Sequence, residues 1–289
     1  MTPRPIDRDE DLPAVADFLG RTRAAGGLSH PGGIQWWLRD LWNDDRSNFG
    51  AFIWADGDML TGFALVDGSF VVTERSGGGP SQVEQLDWLA NHLRARGTET
   101  LDVHMAQGDP AADQLHSRGF IAIGTEFELV ADTGSEPSVP DLPEGFRFAS
   151  LSDVTDQAYI EGHRAAWSDK QPSPYRPALH EAVKEMPQFR SDLVTIVIAS
   201  DGSVASYCIG WMDERSKTLE IEPLGTHREF RRLGLARSVV KQVHHRAWAN
   251  GARRVMVWNN PDTNPEAYRL YTGAGMAPAR TLLQLTKRL

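Results

Sequence analysis

Residues 218–236 read TLEIEPLGTHREFRRLGLA, and this stretch is the most specific part of the chain. Alternating apolar and polar residues at its start predict a strand, and a helical pattern follows from Leu235. Gly234 and Ala236 are small, so backbone N–H groups at the helix start can approach a bound anion closely. The same two residues would also allow close contact between a helix and a strand without any ligand, and both interpretations are open on this stretch alone.

A second stretch follows further along the chain, where residues 264–276 read NPEAYRLYTGAGM. Asn264 is a good helix cap, Pro265 suits the first helical position, and Gly275 is a typical helix stop. Together the two stretches resemble the GNAT superfamily of acyl-CoA N-acyltransferases, whose signature is Arg/Gln-x-x-Gly-x-Gly/Ala, then Asn-x-x-Ala-x-x-Leu-Tyr, then a closing Gly-Phe. Met276 stands here in place of the usual aromatic residue. The matching residues are Arg231, Gly234, Ala236, Asn264, Ala267, Leu270, Tyr271 and Gly275.

The resemblance implies an acyl-CoA co-substrate, expected to be acetyl-CoA, and no metal. In that family the pantetheine arm lies between two strands that separate, and it pairs with strand backbone. Pro223 and Gly225 disrupt a regular strand and are compatible with such a separation. By resemblance, Leu224 and Thr226 would bond the pantetheine arm, and residues 233–236 would hold the pyrophosphate. The full set of implied cofactor-binding residues is Leu224, Gly225, Thr226, Arg231, Arg232, Leu233, Gly234, Leu235, Ala236, Asn264, Ala267, Leu270 and Tyr271.

The same resemblance places Tyr271 at the family's general acid, which protonates the departing thiolate. A phenol with an ordinary pKa of about 10 can protonate a thiolate whose own pKa is about 8.5 with little penalty. Glu220 and Glu222 are two residues apart, so they share one face of the strand, and either could accept the amine's proton through water. We favour Glu220, because its distance from the loop best matches the family's glutamate. A plain solvated or ion-paired carboxylate is the alternative for both.

The chain carries two copies of one pattern. Asp56-Gly57 and Asp201-Gly202 each stand between two apolar runs and predict β-hairpins. Residues 133–145 are rich in proline and small polar residues, which predicts a linker. The sequence therefore predicts an α+β protein with two tandem GNAT-like domains, residues 1–132 and 146–289. Each is expected to be a mixed, mostly antiparallel sheet flanked by helices.

The first copy lacks the chemistry of the second. At the place of the glycine loop, residues 75–80 read RSGGGP, and Pro80 has no backbone N–H to offer an anion. The later segment that ends at Gly119 contains no tyrosine. We therefore predict a degenerate first domain and a catalytic second domain, with one CoA site per chain.

Composition disfavours several other classes of function. The 289 residues carry a formal net charge of −9, which argues against a nucleic-acid partner. The longest apolar run, residues 193–199, is far shorter than the roughly 18 residues that span a bilayer, so no membrane partner is expected. Cys208 is the one cysteine, and acids stand where a secretory signal would be apolar, so we expect a cytoplasmic protein.

These inferences predict an N-acetyltransferase that transfers an acetyl group from acetyl-CoA to the amine of a small molecule. Acetylation of a protein N-terminus or a lysine is the alternative within the enzyme class. A non-catalytic acyl-CoA-binding module is the alternative outside it. Duplicated domains tend to reuse one interface, so we expect a monomer with an internal pseudo-dimer, or a homodimer.

Overall fold

Two Asp-Gly turns form β-hairpins, as the sequence predicts. A computed structural model describes residues 2–42, 49–138, 140–169 and 172–289. Gly57 and Gly202 adopt positive φ angles of 59° and 86°, and each connects two antiparallel strands. A residue with a Cβ would be strained in this conformation, which explains the glycine in each turn.

The chain divides into two units, each with strands and helices. The first comprises residues 1–128 and 279–289, and the second comprises residues 129–278. Up to the linker, the elements are β1 (Arg4–Pro5), α1 (Arg8–Ala24), α2 (Pro31–Leu38), β2 (Phe49–Asp56), β3 (Met59–Asp67), β4 (Phe70–Arg75), α3 (Gln82–Arg94), β5 (Thr100–Ala106), α4 (Pro110–Ser117) and β6 (Ile121–Asp132). After the linker, they are β7 (Phe146–Ala149), α5 (Asp156–Trp167), α6 (Pro177–Lys184), β8 (Val194–Ala199), β9 (Val204–Asp213), β10 (Thr218–Thr226), α7 (Leu235–Ala249), β11 (Arg254–Asn259), α8 (Pro265–Gly273) and β12 (Ala277–Arg288). None of the helices described is long and apolar enough to cross a membrane.

Both halves have the same order of elements: a short opening strand, two helices, three strands, a helix, a strand, a helix and a last strand. Neighbouring strands of the first unit follow the order β1, β2, β3, β4, β5, β12, and those of the second follow the order β11, β10, β9, β8, β7. β4 and β5 are parallel, as are β10 and β11, whereas the hairpins are antiparallel. The predicted class, α+β with mixed and mostly antiparallel sheets, is confirmed.

The last strand of the chain lies in the first unit. Residues 282–288 of β12 pair antiparallel with residues 100–106 of β5. The buried core of this unit consists of Phe52, Trp54, Ala64, Val66, Val71, Val83, Leu86, Leu89, Leu93, Leu101, Val103, Met105, Leu115, Phe120 and Leu285. This assignment differs from a division at residues 132 and 146, which would place all of β12 in the second domain.

A buried ionic network joins three distant parts of the first unit. Glu128 on β6 is 3% exposed and is paired with the guanidinium groups of Arg23 on α1 and Arg280 on β12. Arg280 also donates to the Gly26 carbonyl at 2.9 Å. Burial alone would raise the pKa of Glu128, but the charges and hydrogen bonds of the two arginines outweigh burial and hold it below its ordinary value.

Helices cover both faces of β9 in the second unit. Tyr207 points towards α5, where its ring lies 5.3 Å from that of Tyr159 between centroids. Cys208 is the next residue, so its side chain points to the opposite face, on the side of α7. Both are fully buried, and burial raises the pKa of the Cys208 thiol. Cys208 is therefore an inert core residue.

Candidate active site

The candidate site begins where two neighbouring strands separate. β10 and β11 pair in parallel at three positions, of which Glu220 with Met256 is the last. Both strands continue beyond that pair, β10 to Thr226 and β11 to Asn259. Beyond Glu220, the edge of β10 that faces β11 therefore has no registered strand partner. An extended ligand could hydrogen-bond to backbone groups there.

A bulge in β10 coincides with this separation. The pairing of β10 with β9 shifts between Ile221 and Leu224, on either side of Pro223, which has no N–H for a regular ladder. Glycine is required at position 225 for a different reason, because a Cβ there would lie 2.6 Å from the ring of Tyr207. Glycine stands here because the tyrosine side chain occupies the space.

The loop between β10 and α7 leaves a helix start open. Gly234 caps α7 with a left-handed φ of 82° and offers no side chain to the N–H groups of the first turn. Those N–H groups have no acceptor within the helix, so they are available to an anion. Residues 227–241 carry five Arg or Lys side chains and one Glu, in a chain whose net charge is −9. The loop is therefore locally basic, which favours a phosphate.

The two arginines of the loop have different environments. Arg231 donates three hydrogen bonds to protein groups. The acceptors are the carbonyl oxygens of Thr226 and Ala166 and the carboxylate of Asp169, at 3.2, 2.8 and 2.7 Å. The Arg232 side chain is 88% exposed, and its guanidinium lies 3.5 Å from the Glu266 carboxylate. Arg232 is thus the guanidinium that could reach a phosphate, whereas Arg231 could contribute to such a site through its backbone.

Helix α8 begins and ends as the sequence predicts. The Asn264 side chain accepts a hydrogen bond from the Ala267 N–H at 3.2 Å. Gly275 follows the last turn with a φ of 96°, and the Met276 N–H donates to the Tyr271 carbonyl at 3.1 Å. This is a typical glycine-terminated helix end. The cap and the stop together fix the position of Tyr271 on the short helix.

The remaining residues of the predicted cofactor set differ in their exposure. Leu235 is 1% exposed and anchors α7 in the core, whereas Leu233 is 46% exposed beside the loop. The half-buried members of the set are Leu224, Thr226, Ala236, Ala267 and Leu270. Half-buried residues on a strand edge and at two helix starts are accessible to a ligand.

Tyr271 is enclosed within the second unit. Its side chain is 7% exposed, and its hydroxyl makes no hydrogen bond to the residues that the structure describes. Burial raises the pKa of the phenol, and the neighbouring carboxylate of Glu222 adds to the effect. The phenol therefore stays protonated at physiological pH, which is the state that a proton donor needs.

The two glutamates of β10 lie at different depths. Glu220 belongs to the last registered pair between β10 and β11 and is 4% exposed. Glu222 is half-buried just beyond the separation, and it is close enough to Tyr271 for its charge to raise the phenol's pKa. Glu222 is therefore the more accessible of the two carboxylates, and Glu220 lies deeper in the sheet.

The geometry agrees with a comparison against protein families. Residues 157–276 match the model of the acetyltransferase (GNAT) family. These residues belong to the GNAT family. The matched GNAT domain runs from α5 to the end of α8, and it contains every predicted catalytic and cofactor-binding residue. Among curated proteins, none matches the sequence.

Solved structures extend the likeness to the whole chain. A tandem GNAT protein from the clavulanic acid biosynthesis pathway is 16% identical, with a TM-score of 0.65, over 99% of this chain and 98% of that one. A GCN5-related N-acetyltransferase from Sphaerobacter thermophilus is 20% identical, with a TM-score of 0.59, over 99% and 95% of the two chains. A GNAT-family acetyltransferase from Colwellia psychrerythraea is 11% identical, with a TM-score of 0.59, over 99% and 100%. These likenesses show the fold, two GNAT-like domains in tandem.

The first GNAT-like unit also has a strand separation. The registered pairs of β4 with β5 stop at Val71 and Val103, although both strands continue. The Gln85 side chain donates to the Glu74 carbonyl on β4 at 2.9 Å.

The helix start of the first unit, in contrast, is closed. Ser81 caps α3 by accepting from the Glu84 N–H at 3.2 Å, and the Glu84 carboxylate accepts from the Ser81 N–H at 2.7 Å. This capping box satisfies helix N–H groups and places a negative charge where the GNAT domain has a basic loop. Both features disfavour a phosphate group at α3.

An acidic cluster elsewhere in the second unit is already neutralised. The ligand atoms of Asp156, His180 and Glu181 lie within 4.8 Å of one another. The Lys184 ammonium bonds both carboxylates, at 3.1 and 3.0 Å. A cation of the protein thus occupies the place that a metal ion would take.

Three residues beside the GNAT domain's site were not selected by sequence reasoning. They are Trp167, Asp169 and Tyr207. The Trp167 indole N–H donates to the Tyr207 hydroxyl at 2.7 Å, and Asp169 is paired with Arg231. Their sequence signal is weak, because a tryptophan at a helix end and a tyrosine in an apolar strand are both ordinary core residues.

Proposed function

We propose that the GNAT domain transfers an acetyl group from acetyl-CoA to the amine of a small molecule. The observation that carries this proposal is the separation of β10 and β11 beyond the Glu220–Met256 pair, followed in the chain by the open start of α7. The family of residues 157–276 supports the reaction class. A strand edge followed by a helix N-terminus suits an elongated donor with a phosphate end.

The residues of the GNAT domain are compatible with such a co-substrate, which would supply the acyl group and a thiolate leaving group. The backbones of Leu224 and Thr226 would pair with the pantetheine arm, because that edge of β10 has no registered strand partner. The N–H groups of residues 233–236 would hold the pyrophosphate, and Arg232 would add a cation. Asn264 would hold the start of α8 and so position its helix.

Tyr271 would act as the general acid. Its buried phenol is protonated at neutral pH and would donate its proton to the sulfur as the carbon–sulfur bond breaks. A glutamate would accept the proton of the attacking amine, directly or through water. Glu222 is the stronger candidate, because it is half-buried just beyond the strand separation. Glu220, which its position in the sequence favours, lies deeper and is 4% exposed.

A small cationic amine is the acceptor that the charge of the protein favours. The net charge of −9 attracts cations generally. Protein N-termini and lysines share this charge, so the acceptor's size has to be tested directly.

Thiol release from acetyl-CoA, measured across a panel of small amines and lysine peptides, tests the proposal. We expect release with one class of small amine and a product heavier by one acetyl group. Release with peptides alone would indicate a protein acetyltransferase. Binding of CoA without release in any mixture would indicate a non-catalytic module. Calorimetry should find one CoA per chain, and two equal sites would contradict the closed helix start of the first unit.

A further inference from the structure

Two independent links tie the end of α5 to the end of β10. Arg231 makes the first link, since it bonds the Thr226 carbonyl on β10 as well as Ala166 and Asp169 at the end of α5. Trp167 makes the second link, because its indole N–H donates to the Tyr207 hydroxyl at 2.7 Å. The Tyr207 ring in turn fills the space beside Gly225.

The chemistry of a guanidinium explains the first link. Ala166 lies in the last turn of α5, where carbonyl groups lack donors within the helix and a cation is favourable. The planar donors of Arg231 reach this carbonyl and two further acceptors together, which the single ammonium of lysine cannot do in the same geometry. The Arg231–Asp169 pair is 39% and 49% exposed, so its charge attraction alone is weak. The main effect of the pair is to orient the Arg231 guanidinium at the end of α5.

The second link presents a fixed aromatic surface. Trp167 is 51% exposed, although its N–H is bonded to a tyrosine that is fully buried. An exposed ring held by a buried partner loses little conformational freedom when a ligand stacks on it. Through Tyr207, this ring adjoins the segment of β10 that would bind the pantetheine arm.

We infer that Arg231 is a positioning residue that couples co-substrate binding to acceptor binding, with the indole of Trp167 as the acceptor contact. The inference rests on the proposed function. Arg231 lies in the loop before α7, two residues ahead of the segment 233–236 whose backbone would hold the pyrophosphate. When phosphate groups order this loop, the guanidinium orders the end of α5 and the orientation of Trp167. The acceptor is then an amine whose flat apolar or cationic body stacks on the indole.

Fluorine NMR of the full chain labelled with 5-fluorotryptophan tests the coupling. The chain has nine tryptophans, and the Trp167 signal is identified by its loss in Trp167→Phe. We expect saturating CoA to shift this signal in the wild type. The shift should be lost in Arg231→Gln and kept in Arg190→Gln. Arg190 is a matched control, because its guanidinium forms a similarly exposed pair with Asp192 at 2.6 Å.

Calorimetry and the Trp167 signal together distinguish a wrong coupling from a wrong function. If calorimetry detects no CoA binding to the wild type, the proposed function is wrong. If CoA binds and the Trp167 signal does not move, or moves equally in Arg231→Gln, the coupling is wrong.

Kinetics give a readout that a loss of stability would not produce. In Arg231→Gln we expect the KM for the amine to rise about tenfold, while the dissociation constant of CoA alone changes by less than about threefold. Arg231→Lys should not restore the KM, because lysine lacks the planar donors. Asp169→Asn removes one acceptor of three and should have an intermediate effect. An unchanged amine KM in Arg231→Gln, with an unchanged unfolding temperature, would overturn the inference.

Discussion

Replacing Tyr271 by phenylalanine separates proton donation from the structural contribution of the ring. The ring is 7% exposed, and the variant retains it. The hydroxyl makes no hydrogen bond to the described residues, so its removal leaves no described group without a partner. We therefore expect the free energy of unfolding to change by less than about 1 kcal/mol and the affinity for CoA to stay the same.

The expected loss of rate follows from the loss of the proton. General-acid catalysis contributes roughly 10²-fold to 10⁴-fold, so kcat should fall by at least roughly 100-fold. Burial, with the charge of Glu222, raises the pKa of Tyr271 well above the working pH range. The phenol is therefore protonated throughout that range, and the fold-loss of kcat should be the same at about pH 6 and about pH 9.

Thiol release under saturating acetyl-CoA and amine measures this loss for the wild type and the variant at each pH. A near-normal kcat in Tyr271→Phe would refute the acid role, because a thiolate with a pKa of about 8.5 could then leave unaided. A fold-loss that changed steeply with pH would show that a different group titrates.

Three further substitutions test the base, the loop and the buried network. Glu222→Gln should depress kcat/KM by roughly 10²-fold at low pH, where few amine molecules are neutral. The loss should shrink as the pH rises towards the amine's own pKa. Glu220→Gln is the comparison, and a changed pH profile in that variant alone would assign the base to Glu220. Gly234→Asp should weaken CoA binding by at least about tenfold in calorimetry, because its φ of 82° strains any side chain and a carboxylate repels phosphate. Unchanged affinity would reject this loop as the phosphate site. Glu128→Gln should lower the free energy of unfolding in urea by about 3 kcal/mol near neutral pH, since it removes the charge that pairs with the buried Arg23 and with Arg280. Because folding lowers the pKa of Glu128, its stabilisation is present above the ordinary value of 4.5 and is lost as pH falls through the folded-state pKa. Wild type and variant should converge in acid, and a difference that persisted there would contradict the ionic role.

Much of the GNAT domain can be predicted from its sequence, because several of its features depend on local conformational requirements. Gly234 and Gly275 stand where φ is positive, and Asn264 caps a helix through the third residue after it. Each of these requirements involves a residue and its close neighbours along the chain, so spacing alone indicates them. Asp-Gly turns and alternating strands similarly indicate the α+β class and the duplication.

The closure of the first unit's site was partly visible from the sequence. Pro80 indicates a missing backbone donor in the loop. The Ser81–Glu84 capping box is a local pattern, and its spacing is also readable. The Gln85 side chain reaches the Glu74 carbonyl only because α3 folds back onto β4, so this contact is a result of tertiary structure.

By itself, the sequence determined the class, the family motifs and the identity of the candidate residues, while the tertiary structure decided which distant groups meet. The motif marks Arg231 as a cofactor residue, yet its guanidinium bonds Ala166, 65 positions earlier in the chain. Gly225 interrupts a strand pattern, yet the reason for the glycine is the ring of Tyr207 on β9. β12 follows α8 at the end of the chain, yet it pairs with β5 more than 170 positions earlier, which depends on the assembled sheet. A sequence shows that a charge, a carbonyl or a strand edge needs a partner, but the choice of partner depends on long-range contacts that form only when the chain folds.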